Sequence, residues 1–173
     1  MKLVLRVIKL VVISILIMLF IYPFFHEIGH LIAGLVSGSK NISWGIFPVA
    51  RTRLMLDSED EFKIMFISLS GGIAPLIILL IPSFNIYSLY YIKFVISLMS
   101  AITSIMSILY VLIGNINGES VFDDAFTVVK LFPKLCTQVT IILIVQFITA
   151  LGYIVFSRPL ERTVVYLTKK PAD

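Results

Sequence analysis

The sequence predicts an all-α integral membrane protein of about four transmembrane helices, with a small β-hairpin or strand element after the first. Three observations carry that expectation. Of 173 residues, 59% are hydrophobic and only 14% charged, whereas soluble domains carry about 25% charged residues. The apolar residues fall in long runs. One run, "PFFHEIGHLIAG" at positions 23 to 34, nevertheless contains His26, Glu27 and His30.

A helix needs ~20 residues to cross a bilayer. Four regions are long and apolar enough to enter one: Leu3 to Val36, Phe66 to Ile81, Tyr90 to Ile113 and Val139 to Phe156. The first is too long for one straight span. Pro23 lies inside it and either kinks the helix or starts a new one, because proline lacks the N–H and suits a first helical turn. The start has the basic and apolar character of a signal peptide. It lacks a small-residue cleavage site and stays apolar to Val36, so an uncleaved anchor is the better reading.

Between the first two regions, "VARTRLML" alternates Val49, Arg51 and Arg53 with Ala50, Thr52 and Leu54. A period of two predicts a hairpin or edge strand. Such a strand could hold an extended substrate by strand addition, but a surface hairpin with no partner is the better reading. "DSEDE", 57 to 61, reads as a solvated acidic loop. The whole chain, 1–173, reads as one membrane-embedded domain with its core at about 20–135, a fourth helix at 139–156 and a short basic tail at 157–173.

The net charge is +4, with the basic residues scattered at the ends of apolar runs. That pattern suits the headgroups of a lipid bilayer and not nucleic acid. Four crossings put both termini on one side. Lys2, Arg6 and Lys9, with Arg158, Arg162, Lys169 and Lys170, point to the cytoplasmic side of a cell membrane. The single cysteine, Cys136, excludes an internal disulfide.

His26 and His30 are four apart, so a helix puts them on one face, a turn from each other. Two imidazoles so placed can ligate one zinc ion. Glu27 follows the first histidine and is placed as general base, completing HExxH. Zinc lowers the pKa of a bound water toward ~7, and Glu27 would take its proton and return it to a leaving amine. HExxH also occurs by chance. Here the two histidines are the only ones in the chain, and ionisable residues inside an apolar span are expensive and usually functional. Gly29, Ala33 and Gly34 leave room for close approach of another helix or a substrate backbone.

"FFHEIGHLIAGLVSG" resembles the zinc-binding helix of the site-2 protease family of intramembrane metalloproteases. The order that follows is also similar: "SWGIFPVARTRLML", then "SLSGGIAPLIILL", then "GNINGESVFDDAFTVVKLF". The resemblance implies a third zinc ligand from an aspartate after an Asn-containing stretch. It implies a transmembrane protein or peptide as substrate, and a substrate-binding role for Asn115 and Asn117. A turn-forming role for those two asparagines is the plain alternative. The family's proline after the asparagine is missing here, and Ala125 replaces the glycine that usually follows the aspartate.

One open position for water leaves three protein ligands on a catalytic zinc. Cys136 has no second ligand type near it. Glu161 and Asp173 lie in the tail. Asp123 and Asp124 open an amphipathic stretch after an apolar helix and are the best candidates. Asp124 is preferred, with small Ala125 beside it. Asp123 is the alternate ligand, or the cap of the helix that follows. The expected function is zinc-dependent endopeptidase action in or at the edge of a membrane. Two other readings remain: a catalytically silent relative that binds membrane proteins, and a metal transporter. The transporter reading requires more polar residues than the third and fourth regions show.

Overall fold

The computed structural model describes residues 2–45, 51–55, 60–83, 87–117 and 123–168. Its first helical run has three parts. Helix α1 (Lys2–Leu16) passes through a π-helical turn at Ile17–Ile21 into α2 (Tyr22–Val36), with Pro23 in the first turn of α2. The proline therefore starts a new segment, and the wider π turn absorbs the change. Such turns occur mostly as local bulges within α-helices, often at functional sites.

Two strands follow, β1 (Lys40–Gly45) and β2 (Arg51–Met55), paired antiparallel with Trp44 opposite Thr52 and a register shift between Lys40 and Ser43. The expected strand is thus half of a hairpin; Val49 and Ala50 lie outside the described residues. The hairpin docks on α2. Thr52 Oγ1 donates to the Glu27 carbonyl at 3.0 Å, and the Phe24 and Trp44 rings meet edge to face at 6.0 Å.

Helix α3 spans Glu61–Ile77 and tightens into a 3₁₀ turn at Ile78–Leu80. Of the expected acidic loop at 57 to 61, residues 57–59 lie outside the described residues, and the other two are not loop. Asp60 is the N-cap of α3, accepting from the Phe62 and Lys63 N–H groups, and Glu61 is its first residue. An acidic side chain satisfies the open N–H groups of a helix start and suits its dipole, so this helix begins five residues before the apolar run. At its far end, Lys93 Nζ donates to the carbonyls of Leu79 and Ile81.

Helices α4 (Tyr87–Asn117), α5 (Asp124–Leu131), α6 (Cys136–Phe156) and α7 (Pro159–Thr168) complete the chain. The basic tail is therefore helical over most of its length. Pro159 suits a first helical position, and Glu161 in the first turn is favourable there. Four helical runs are long and apolar enough to cross a membrane: Leu3–Val36, Glu61–Leu80, Tyr87–Ile113 and Pro133–Phe156.

The most extensive contacts are α2 on α3 and α4 on α6. Leu69, Val111, Val128, Val139 and Leu143 form one buried cluster, which joins α5 to α3, α4 and α6. Ile17, Tyr22, Ile78, Val95 and Ile96 form another, which packs the π turn against α3 and α4. These two clusters hold α2 and α5 in place on either side of the site.

Candidate metal centre

Helix periodicity brings His26 and His30 to one face of α2, with ring centroids 4.7 Å apart. A second element supplies the third group. Asp124, the first residue of α5, turns its carboxylate onto both rings. Asp124 Oδ2 lies 3.2 Å from His26 Nε2 and 3.1 Å from His30 Nε2, and the two Nε2 atoms are 3.1 Å apart. The three atoms make a nearly equilateral triangle. A tetrahedral centre with ~2.0–2.1 Å bonds spaces its ligands about 3.3–3.4 Å apart. The cluster could hold a metal ion.

The tautomers support that fit. His30 Nδ1 lies 2.8 Å from the Ile67 carbonyl oxygen. A carbonyl only accepts, so Nδ1 carries the proton, and the Nε2 of neutral His30 is an unprotonated lone pair. That lone pair faces a carboxylate oxygen. Two electron-rich atoms so close repel unless a cation or a proton lies between them. A ring N–H anchored on a backbone carbonyl is the usual support of a metal-ligating histidine.

Burial alone would raise the carboxyl of Asp124. When the two rings carry protons on Nε2, their hydrogen bonds and positive charge outweigh it and hold that carboxyl well below the usual carboxylate range. Asp124 is thus an anion at neutral pH, as a ligand must be.

Asp123 points elsewhere. It caps α5, accepting from the Phe126 N–H at 2.8 Å, and its other oxygen accepts from Ser107 Oγ of α4 at 2.5 Å. Both carboxylate oxygens are engaged away from the histidines, and the cap fixes the turn that aims Asp124. Glu27 is partly buried on α2 beside His26. Cys136 starts α6 and packs against the buried cluster of Val128 and Val139, apart from the triangle. Asn115 and Asn117 lie in the last turn of α4, which is helix and not a free turn; their side chains lie outside the described residues.

Several supporting residues were not anticipated from the sequence. Gly71 of α3 lies directly beneath the rings: a Cβ there would collide with His30 Nε2 and sit 2.8 Å from His26 Cε1. Gly29, by contrast, was expected to admit another helix, and it fits against Ser70 of α3, whose carbonyl a Cβ would strike. The third and fourth spans, expected to be almost free of polar groups, bury Lys93, Ser97, Ser100, Ser104 and Gln146. The signal was present in α4. Lys93, Ser97, Ser100, Ser104 and Ser107 recur at spacings of four and three, which is one face of a helix.

His26 and Asp124 of the triangle form part of the wall of a cavity of about 280 Å³ between α2, α3, α4, α5 and α6. Comparison with protein-family models, with curated proteins and with solved structures found no match.

Proposed function

We propose that the chain is a zinc-dependent intramembrane endopeptidase, of the kind the site-2 protease family represents. It hydrolyses a peptide bond within or next to a transmembrane segment. The observation that carries this reading is the triangle of His26, His30 and Asp124, with His26 and Asp124 on the wall of a cavity and Glu27 adjacent in sequence to the first ligand. The three atoms would hold one zinc ion. Zinc bound there supplies a water of lowered pKa and polarises the scissile carbonyl.

Glu27 takes the proton of the attacking water and passes it to the leaving amine. The Ile67 carbonyl keeps His30 in the ligating tautomer, and the Asp123 cap keeps Asp124 aimed. A helical substrate hides its carbonyls in its own hydrogen bonds, so it unwinds locally before attack.

The bilayer setting rests on the four apolar runs and on their outer surfaces. Leu80 is 81% exposed and Phe156 87% exposed; side chains of that size lie out of water when lipid covers them. Arg6 Nη1 donates to the carbonyls of Tyr166 (2.9 Å) and Leu167 (3.2 Å). That contact supports four crossings with both ends on one side, and the basic residues of both ends favour the cytoplasmic face of the cell membrane.

The test is zinc content followed by Glu27→Gln. Purified protein carries about one zinc per chain, retained in Glu27→Gln. Cleavage of a co-expressed transmembrane substrate falls by ~10²- to 10⁴-fold in that variant. Undiminished cleavage removes the mechanism. Bound zinc without cleavage by the parent favours the silent, protein-binding reading.

A further inference from the structure

Within the cavity that reaches the metal triangle, most polar side chains already have partners. Ser107 donates to Asp123. Thr103 pairs with the Tyr22 hydroxyl at 2.9 Å. Ser68, half-buried at the rim, has no hydrogen-bond partner among the described residues, and two buried lining groups are different. Gln146 is only 5% exposed and sits in the middle of α6, one of the most apolar helices of the chain. Its one hydrogen bond among the described residues is long, 3.4 Å from Nε2 to the Leu69 carbonyl. Ser104 of α4 is also buried, lines the same cavity and has no hydrogen-bond partner among the described residues.

A carboxamide has two donors and a two-lone-pair acceptor. Burying one in an apolar span with most of that capacity unused is unfavourable. The arrangement makes sense when something in the cavity completes it. The local packing keeps that capacity available. Gly72 of α3 faces the carboxamide, and a Cβ there would stand 3.0 Å from Oε1 and 3.2 Å from Nε2. Any larger residue would crowd the amide.

The size of the space limits what fits. At ~30 Å³ for each water, 280 Å³ is on the order of nine waters. That is room for one modest side chain, and the cavity is partly open, so the rest of a bound segment can lie outside it. Ser104 and Gln146 come from two packed helices and share that space with His26 and Asp124. A group held by them is therefore next to the reacting centre.

We propose that Gln146, together with Ser104, forms a specificity pocket for a small hydrogen-bonding side chain of the substrate, with asparagine the best match. A substrate carboxamide can pair head to tail with that of Gln146, donor to acceptor and acceptor to donor, while Ser104 takes a remaining position. Leucine or valine entering the same space leaves both groups unpaired. A site built to hydrogen-bond rejects an analogue lacking the partner far more strongly than an apolar pocket rejects a change of size. Recognition of this kind also explains how one segment is chosen in a membrane where most side chains are apolar. The inference rests on the protease reading for what the bound segment undergoes, but the binding preference can be measured without cleavage.

The experiment uses the full chain as Glu27→Gln, in detergent micelles, with its zinc content measured first. The probes are two lysine-flanked Leu/Ala transmembrane peptides, identical except for Asn or Leu at one central position. The Asn peptide binds at least about tenfold more tightly, a small fraction of the discrimination such sites reach. Gln146→Leu, which keeps bulk and removes the amide, abolishes the preference while zinc content is unchanged. Ser104→Ala reduces it, and serves as the deciding variant if Gln146→Leu does not fold. Equal binding of the two peptides, or a preference that survives both substitutions, overturns the proposal. Absence of zinc from the parent strikes the protease reading instead, and the peptide preference still reports on the pocket.

Discussion

A methyl group at Gly71 of α3 would strike the imidazole of His30. The absence of a side chain there lets α3 run against the rings and lets the Ile67 carbonyl, one turn earlier, accept a hydrogen bond from His30 Nδ1–H. A glycine inside a helix costs ~1 kcal/mol relative to alanine. Here that cost is the condition for seating two histidines between helices.

The first prediction follows directly. Gly71→Ala improves helix propensity but displaces the rings from the triangle. Disturbing the support of a ligating histidine typically costs 10- to 100-fold in metal affinity. Competition with a chromophoric chelator should show a loss of that order. Unchanged affinity would mean that the rings move aside without disturbing the ligand set.

The second concerns the histidines themselves. His26→Ala and His30→Ala each leave two ligands, too few to retain zinc through purification. Elemental analysis should find both variants depleted. Stoichiometric zinc in either would remove that histidine from the site.

The triangle of His26, His30 and Asp124 was legible in the sequence as far as helix periodicity reaches. HExxH places its residues by local geometry alone, and His26, Glu27 and His30 need only that α2 be a helix. Asp124 is 98 residues from His26, so its arrival depends on how α5 packs against α3 and α4, which no local pattern encodes. Gly71 and Gln146 were hidden for a related reason. Their composition is that of any apolar span, and only tertiary packing shows that one faces the rings and the other the cavity. The span boundaries shifted because hydropathy finds apolar runs, whereas caps such as Asp60 set where helices begin.

The third prediction tests Thr52, the link between the hairpin and the motif. Thr52→Val keeps the β-branched shape and removes the hydroxyl that donates to the Glu27 carbonyl. A neutral hydrogen bond of this kind contributes ~1 kcal/mol. Zinc content should be unchanged, because no ligand is touched, while protease nicking of the hairpin in folded protein should rise. Loss of zinc would show that the hairpin positions the ligands as well.

The last prediction separates the two neighbouring aspartates. Asp124 faces both histidines, whereas Asp123 spends one oxygen on the Phe126 N–H and the other on Ser107. Asp124→Asn removes the anionic ligand but keeps the size of the side chain. It should lose zinc and any peptidase activity while the fold persists, because the helix cap is intact. Asp123→Asn keeps a capping residue, since asparagine caps about as well as aspartate. It should hold zinc, with a modest loss from the weakened Ser107 contact. Asp123→Ala removes the cap as well and costs ~1 kcal/mol of stability. The first turn of α5, which carries Asp124, then loosens, so zinc affinity should fall partway. The expected order of zinc affinity is parent, Asp123→Asn, Asp123→Ala, Asp124→Asn. Zinc lost from Asp123→Asn but kept by Asp124→Asn would move the ligand to Asp123. Zinc kept by all three variants would mean that neither carboxylate ligates the ion.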